Sequence, residues 1–179
     1  MAGEYTRSVD RQLACARVQL DFARASEKRF PRTACLNACC LHLTEALLAY
    51  LHELQLNTCG SVRNGSSLPV IFDELRHLSQ VTDFRLNEVI TLAFSRQSWM
   101  DNLINLQRYF RKPAIPEQKH QAMEVQPVDD KLIATSAPPA GRNSSVEIET
   151  IEPSIDLIAD IIEGMESLLS RHREFSAEY

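Results

Sequence analysis

Counting from Val9, the apolar residues Leu13, Ala16, Leu20 and Ala23 return in alternating steps of four and three. That spacing lines one side of an α-helix, because a strand would need a period of two. The feature constrains the whole chain, since the same period returns in later segments. The first stripe predicts a helix from about Glu4 to Arg29, ended by Pro31. Thr33 then caps a second helix whose Leu36, Cys39, Cys40, Leu43, Leu47, Tyr50, Leu51 and Leu54 form a wide apolar face. This is the expected core helix, and the short connection predicts an antiparallel pair.

Residues 57–67 (NTCGSVRNGSS) lack periodicity and read as a loop. A short third helix is expected next, with Ser67 as cap, Pro69 in its first turn, and Val70, Ile71, Leu75 and Leu78 apolar. Thr82 or Asp83 starts a fourth through Leu86, Val89, Ile90, Ala93 and Phe94. Ser98 followed by Asp101 resembles a capping box ahead of Leu103, Ile104, Leu106 and Tyr109, so this stretch is one kinked helix or two abutting ones.

Residues 112–153 change character. Six prolines and the run TSAPPAGRNSS resist packing and read as a flexible linker. Within it, residues 131–135 and 146–151 alternate in the manner of short strands. From Ser154 the helical stripe returns as Ile155, Ile158, Ile162, Met165 and Leu169, widened by Ile161 and Leu168. Such a stripe needs burial, and its natural partner is the first part of the chain. The expected fold class is all-α: a helical bundle over 1–111, a linker over 112–153, and a final helix over 154–179 packing back to complete a bundle of about five helices.

A chain of 179 residues can bury a core without metals or disulfides to staple it. Five cysteines with no CxxC pair read as reduced thiols. The N-terminal segment has no uninterrupted apolar run of signal-peptide length, and the apolar stretch over 38–54 carries His42, Glu45, His52 and Glu53. A cytoplasmic protein with no membrane partner is therefore expected. Charge is uneven: residues 1–32 hold seven Lys/Arg against four Asp/Glu, whereas residues 117–179 hold five against thirteen. A basic first helix and an acidic last one can attract each other within one fold, which is preferred over a partner-binding field.

Cys35, Cys39, His42 and Glu45 share one side of the second helix, the arrangement a transition metal would need from thiolate, imidazole and carboxylate. The plainer reading places the small cysteines at a helix contact, with His42 and Glu45 flanking it. Glu74 and His77 make a single ExxH, a spacing that di-iron bundles use in two copies with further glutamates. No metal and no other cofactor is expected from either set. Ribonucleases of the HEPN type place an arginine four to six residues before a core histidine, a spacing that none of His42, His52, His77, His120 and His172 shows. Walker A, GxGxxG, GxSxG and HExxH motifs are likewise absent from the sequence. Arg17, Arg24 and Lys28 could face a nucleic acid, but Asp10 and Asp21 share that side, so nucleic-acid binding is disfavoured. The cations of RHREF (Arg171 to Phe175) complement a helix C-terminus and need no function. Trp99 reads as a packing anchor.

The EYTR start, the ACLNACCLHLTEALLAYLHEL helix, the RQSWMDNL segment and the RHREFSAEY ending together resemble an uncharacterised gammaproteobacterial domain-of-unknown-function family. The resemblance implies a bacterial, cytoplasmic, all-helical protein and carries over no catalytic residue. The leading functional expectation is a non-enzymatic interaction or regulatory module that binds another protein or pairs with itself through an apolar groove. An exposed apolar patch on the final helix would support it, and complete burial of that helix's stripe would leave the idea with little. The alternatives are a metal- or thiol-dependent enzyme or sensor centred on the second helix, and nucleic-acid binding through the first.

Overall fold

The computed structural model describes residues 2–59, 68, 83–111 and 152–177. Among them are five helices and no strand: α1 (Ala2–Ala25), α2 (Arg29–Cys59), α3 (Phe84–Phe94), α4 (Trp99–Arg111) and α5 (Ile155–Ala177). The chain divides into one unit of Met1–Lys112 with Thr150–Tyr179, which contains all five helices, and a second of Pro113–Glu149. The expected third helix, the linker with its two strand-like pieces, and both Glu74 and His77 lie outside the described residues.

The expected stripe of α1 is the buried one: Val9, Leu13, Ala16, Leu20 and Ala23 all face the core. The boundary with α2 differs from the expectation. α1 stops at Ala25, where the Ser26 amide and hydroxyl turn back onto the carbonyls of Ala23 and Phe22. The Arg32 guanidinium then donates to the Ser26 carbonyl at 3.1 and 2.7 Å, taking up an acceptor that the helix end leaves open. Pro31 therefore does not end α1. It lies in the first turn of α2, where a missing N–H costs nothing. Thr33 is inside α2 rather than capping it, its hydroxyl donating to the Arg29 carbonyl. The far end also differs, because 57–59 continue α2 instead of opening a loop.

Antiparallel pairing of α1 and α2 is set by contacts along their length. The Cys39 thiol donates to the Ala16 carbonyl at 3.3 Å, Gln12 meets His42 at 2.7 Å, and the Thr6 hydroxyl donates to Glu53 at 3.0 Å. α5 closes the bundle against α1, α2 and α4, and α4 also touches α2 and α3. Asp83 caps α3 by accepting from the Arg85 amide at 2.9 Å. Between α3 and α4 the chain breaks cleanly, so these are two abutting helices. Ser98 Oγ accepts from the Asp101 amide at 3.0 Å while Asp101 reaches back to the Gln97 amide at 3.1 Å, one position before the partner a strict capping box would use. Gln97 takes a left-handed φ of 64° to make this turn. Ser154 caps α5 through the Leu157 amide.

The aliphatic stripe of α5 is spent on this core. Ile158, Ile161, Ile162, Met165, Leu168 and Leu169 are buried, and Ile155 packs partly buried against them. Trp99 is an anchor here: a Cβ on Gly164 would lie 2.5 Å from its indole Cδ1, so only glycine lets α4 and α5 approach this closely. By length and composition α2 is apolar enough to cross a membrane, but 56% of that stretch is buried within the bundle.

Candidate functional site

Two features stand apart from ordinary packing. The first is a buried polar cluster where α5 ends against α2 and α3. His172 continues the α5 core stripe by one more step of three, so its imidazole points inward and is only 3% exposed. Its Nε2 lies 2.9 Å from Glu88 Oε2, and its Nδ1 meets the Tyr50 hydroxyl. An ionised carboxylate can only accept, so Nε2 carries the proton and Nδ1 accepts from the phenol. Arg171 adds a cation on Glu88. Phe84 stacks edge-on against both His172 and Phe175, shielding the imidazole from one side.

Burial holds His172 below its ordinary pKa of 6.5, only partly offset by Glu88. Burial also pushes Tyr50 far up, against a smaller opposing pull from Arg85. Although burial raises Glu88, the hydrogen bonds from Arg171 and His172 outweigh it and keep the carboxyl below 4.5. Carboxylate, imidazole and hydroxyl thus stand in the order that activates nucleophiles. The phenol is the wrong terminus for that chemistry, because the same burial that aligns it disfavours the phenolate. A neighbouring cavity of about 240 Å³ is walled by Thr6, Tyr50, Glu53, Arg85, His172 and Arg173. Its charged walls are already matched internally: Arg85 chelates Asp83 at 3.1 and 2.8 Å, and Arg173 meets Asp10 at 2.7 Å. The cluster fastens three helices with its hydrogen-bonding groups satisfied.

The second feature is the outer side of the α1–α2 hairpin. Val18 and Phe22 lie opposite the buried stripe of α1 and are 51% and 58% exposed. On α2, Phe30 and Leu41 are about three turns apart on one face, 84% and 53% exposed. Arg7 and Arg11 continue the Val18–Phe22 line at helical spacing. Lys28 and Arg29 stand at the hairpin tip. None of these four cations has an ion-pair partner among the described residues, and the carboxylates of Glu4, Glu27 and Glu45 pair with none of them. Cations elsewhere on α1 behave differently. Arg17 meets Glu166 of α5 at 2.5 Å, the attraction between first and last helices expected from their charges, and Arg24 pairs with Asp21.

The metal candidates on α2 are turned to separate tasks. Cys39 is buried with its S–H on the Ala16 carbonyl, and burial, reinforced by Cys35, pushes its thiol up to about 12, away from the thiolate a metal binds. His42 is held by Gln12, Glu45 is exposed, and Cys35 is a half-buried free thiol. Among the described residues no three His, Cys, Asp or Glu side chains converge on one point where an ion would sit. His172 was the residue that sequence reasoning missed, because RHREF reads as a dipole-complementing end. The signal was present in the apolar spacing of α5, which runs on through Leu169 to position 172. Comparison with protein families, curated proteins and solved structures found no match to this chain.

Proposed function

We propose that this chain is a non-enzymatic, cytoplasmic interaction module that docks another protein on the outer side of its α1–α2 hairpin. The observation that carries this reading is the exposure of Val18, Phe22, Phe30 and Leu41, four large apolar side chains more than half exposed on α1 and α2. Exposed apolar residues gathered on one side, with polar groups around them, mark recognition surfaces. The final helix does not serve this role, since its stripe is buried in the core. The buried cluster supports the same reading by its chemistry: its groups satisfy one another and hold the scaffold rigid, as a docking platform requires.

The test is affinity capture from a lysate of the source organism, after nuclease treatment, with the native chain and the double variant Val18→Asp, Phe22→Asp as baits. Both positions are exposed, so the variant should melt like the native protein. Proteins retained by the native chain and lost by the variant are expected. Identical retention by the two baits would overturn the reading.

A further inference from the structure

His172 is the one histidine of α5, and it is buried although it stands close to the helix end. From that placement we infer that the last turns of α5 are a proton-operated latch, seated while the His172 imidazole is neutral and lifted when it takes up a proton. A neutral ring has one donor and one acceptor, and the cluster uses both. Nε2–H donates to Glu88 at 2.9 Å, and Nδ1 accepts from the Tyr50 hydroxyl. A second proton can enter only at Nδ1, where it meets the Tyr50 O–H, and two donors then face each other. The phenol cannot relieve this by losing its proton, because burial pushes it far up. It can only turn so that its oxygen accepts, which leaves the phenolic proton to find a new acceptor in a place that is 6% exposed.

The surroundings decide the sign. Burial weighs most against a charge on this ring; Glu88 of α3 attracts one, while Arg85 of α3 and Arg171 of α5 oppose it. The other ionisable groups around the ring are engaged: Asp83 with Arg85, Asp10 of α1 with Arg173, and Glu53 of α2 with the Thr6 hydroxyl. Phe84 covers one side of the imidazole and Phe175 lies against Phe84, so neither offers a counter-charge. When the end of α5 lifts, water solvates the imidazolium, and each proton taken up therefore favours the lifted state. The effect stays local. The first half of α5 is held by Ile158, Ile161, Ile162 and Met165 and by Trp99 against Gly164, none of which binds a proton. Lifting withdraws Leu169, His172 and Arg173 from the wall of the 240 Å³ cavity and bares Tyr50 and Leu54 of α2, both buried while the latch is seated.

Hydrogen–deuterium exchange on the full chain at about pH 7.5 and about pH 5.5 tests this, each amide's rate being divided by its free-chain rate at the same pH. A histidine with an ordinary pKa of 6.5 when released and a lower one when seated allows at most about tenfold per pH unit. Protection over residues 168–177 is expected to fall about fivefold, against less than about twofold over 155–165. Glu88 and Asp83 lie below 4.5 and 3.8 and stay ionised across this range. His52, also lowered by burial, sits against Tyr5 away from α5 and is common to every variant. His172→Gln, whose amide again offers one donor and one acceptor but does not titrate, should lose the step over 168–177 and leave 155–165 as before. Should that variant fail to fold, Glu88→Gln replaces it: removing the carboxylate that favours the imidazolium should enlarge the step. Equal loss of protection along the whole of α5, no loss over 168–177, a step that persists in His172→Gln, or one that shrinks in Glu88→Gln would overturn the inference.

Discussion

The two halves of α5 are attached to the same bundle by different physics. Its first half, through Met165, is held by buried aliphatic side chains and by Trp99 lying against the bare backbone of Gly164. Its second half keeps Leu168 and Leu169 in the core but adds a set of polar ties: Glu166 to Arg17, Arg171 and His172 to Glu88, His172 to Tyr50, and Arg173 to Asp10. Apolar burial is insensitive to pH and adapts poorly to a change of volume, whereas the polar half depends on protonation and, at its rim, on salt. One helix therefore has an end that conditions leave alone and an end that they can loosen.

The largest effect should come from the apolar half. Ile161→Ala removes a fully buried side chain and is expected to cost about 3 kcal/mol, measured as a shift in the denaturant midpoint. Gly164→Val should cost about 1–3 kcal/mol by pushing against Trp99. A Trp99→Ala background should reduce that second cost, since the two sites share one contact, and strict additivity would show that the close approach is not what matters.

Next in size is the cluster. His172→Ala leaves the Tyr50 hydroxyl and Glu88 each short of a buried partner and should cost about 2 kcal/mol. An unchanged melting temperature would mean that the cluster contributes nothing to fastening α5. The same residues set the acid response. His172 is held below 6.5 by burial, so between that value and its folded pKa the unfolded chain binds more protons and stability falls as the pH falls. Glu88 lies below 4.5, because the bonds from Arg171 and His172 outweigh its burial, and Asp83 lies below 3.8, chiefly through its hydrogen bond from Arg85. Both continue the loss at lower pH. His52, also lowered by burial, adds to the first step, so the decisive comparison is native chain against His172→Gln. The variant should lose part of the stability slope just below pH 6.5.

The smallest effect belongs to the rim. Arg17 is 62% exposed on its side chain, and Arg17→Ala should cost no more than about 0.5–1 kcal/mol, a difference that shrinks further in high salt. A larger cost independent of salt would mean that its aliphatic stem, rather than its charge, seals the seam with α5.

Much of this division was legible before any coordinates. The step pattern of α1 and α5 named their buried residues, because one helix's inward side is set by its own period. The Ser98 and Asp101 pair marked a helix start, because capping is a local exchange between neighbouring residues. The starting charges of the two terminal helices anticipated the Arg17–Glu166 tie. The end of α1 was misplaced because Pro31 fits equally after one helix or in the first turn of the next, and only the bonds of Arg32 to the Ser26 carbonyl decide between them.

What the sequence determined by itself is the all-helical class, the core faces of α1, α2 and α5 and the cap at Ser98, all of which follow from interactions within a few residues; on α3 and α4 the expected stripe also held Phe94 and Tyr109, which the structure leaves exposed. Tertiary structure alone decided that His172 would meet Tyr50, 122 residues away, and Glu88, and that Gly164 would receive Trp99. It also decided that Val18, Phe22, Phe30 and Leu41 of the hairpin would stay exposed while the aliphatic stripe of α5 is buried. Those outcomes depend on which faces find each other across the bundle, and helical periodicity fixes a side chain's direction from its own axis without naming what waits there.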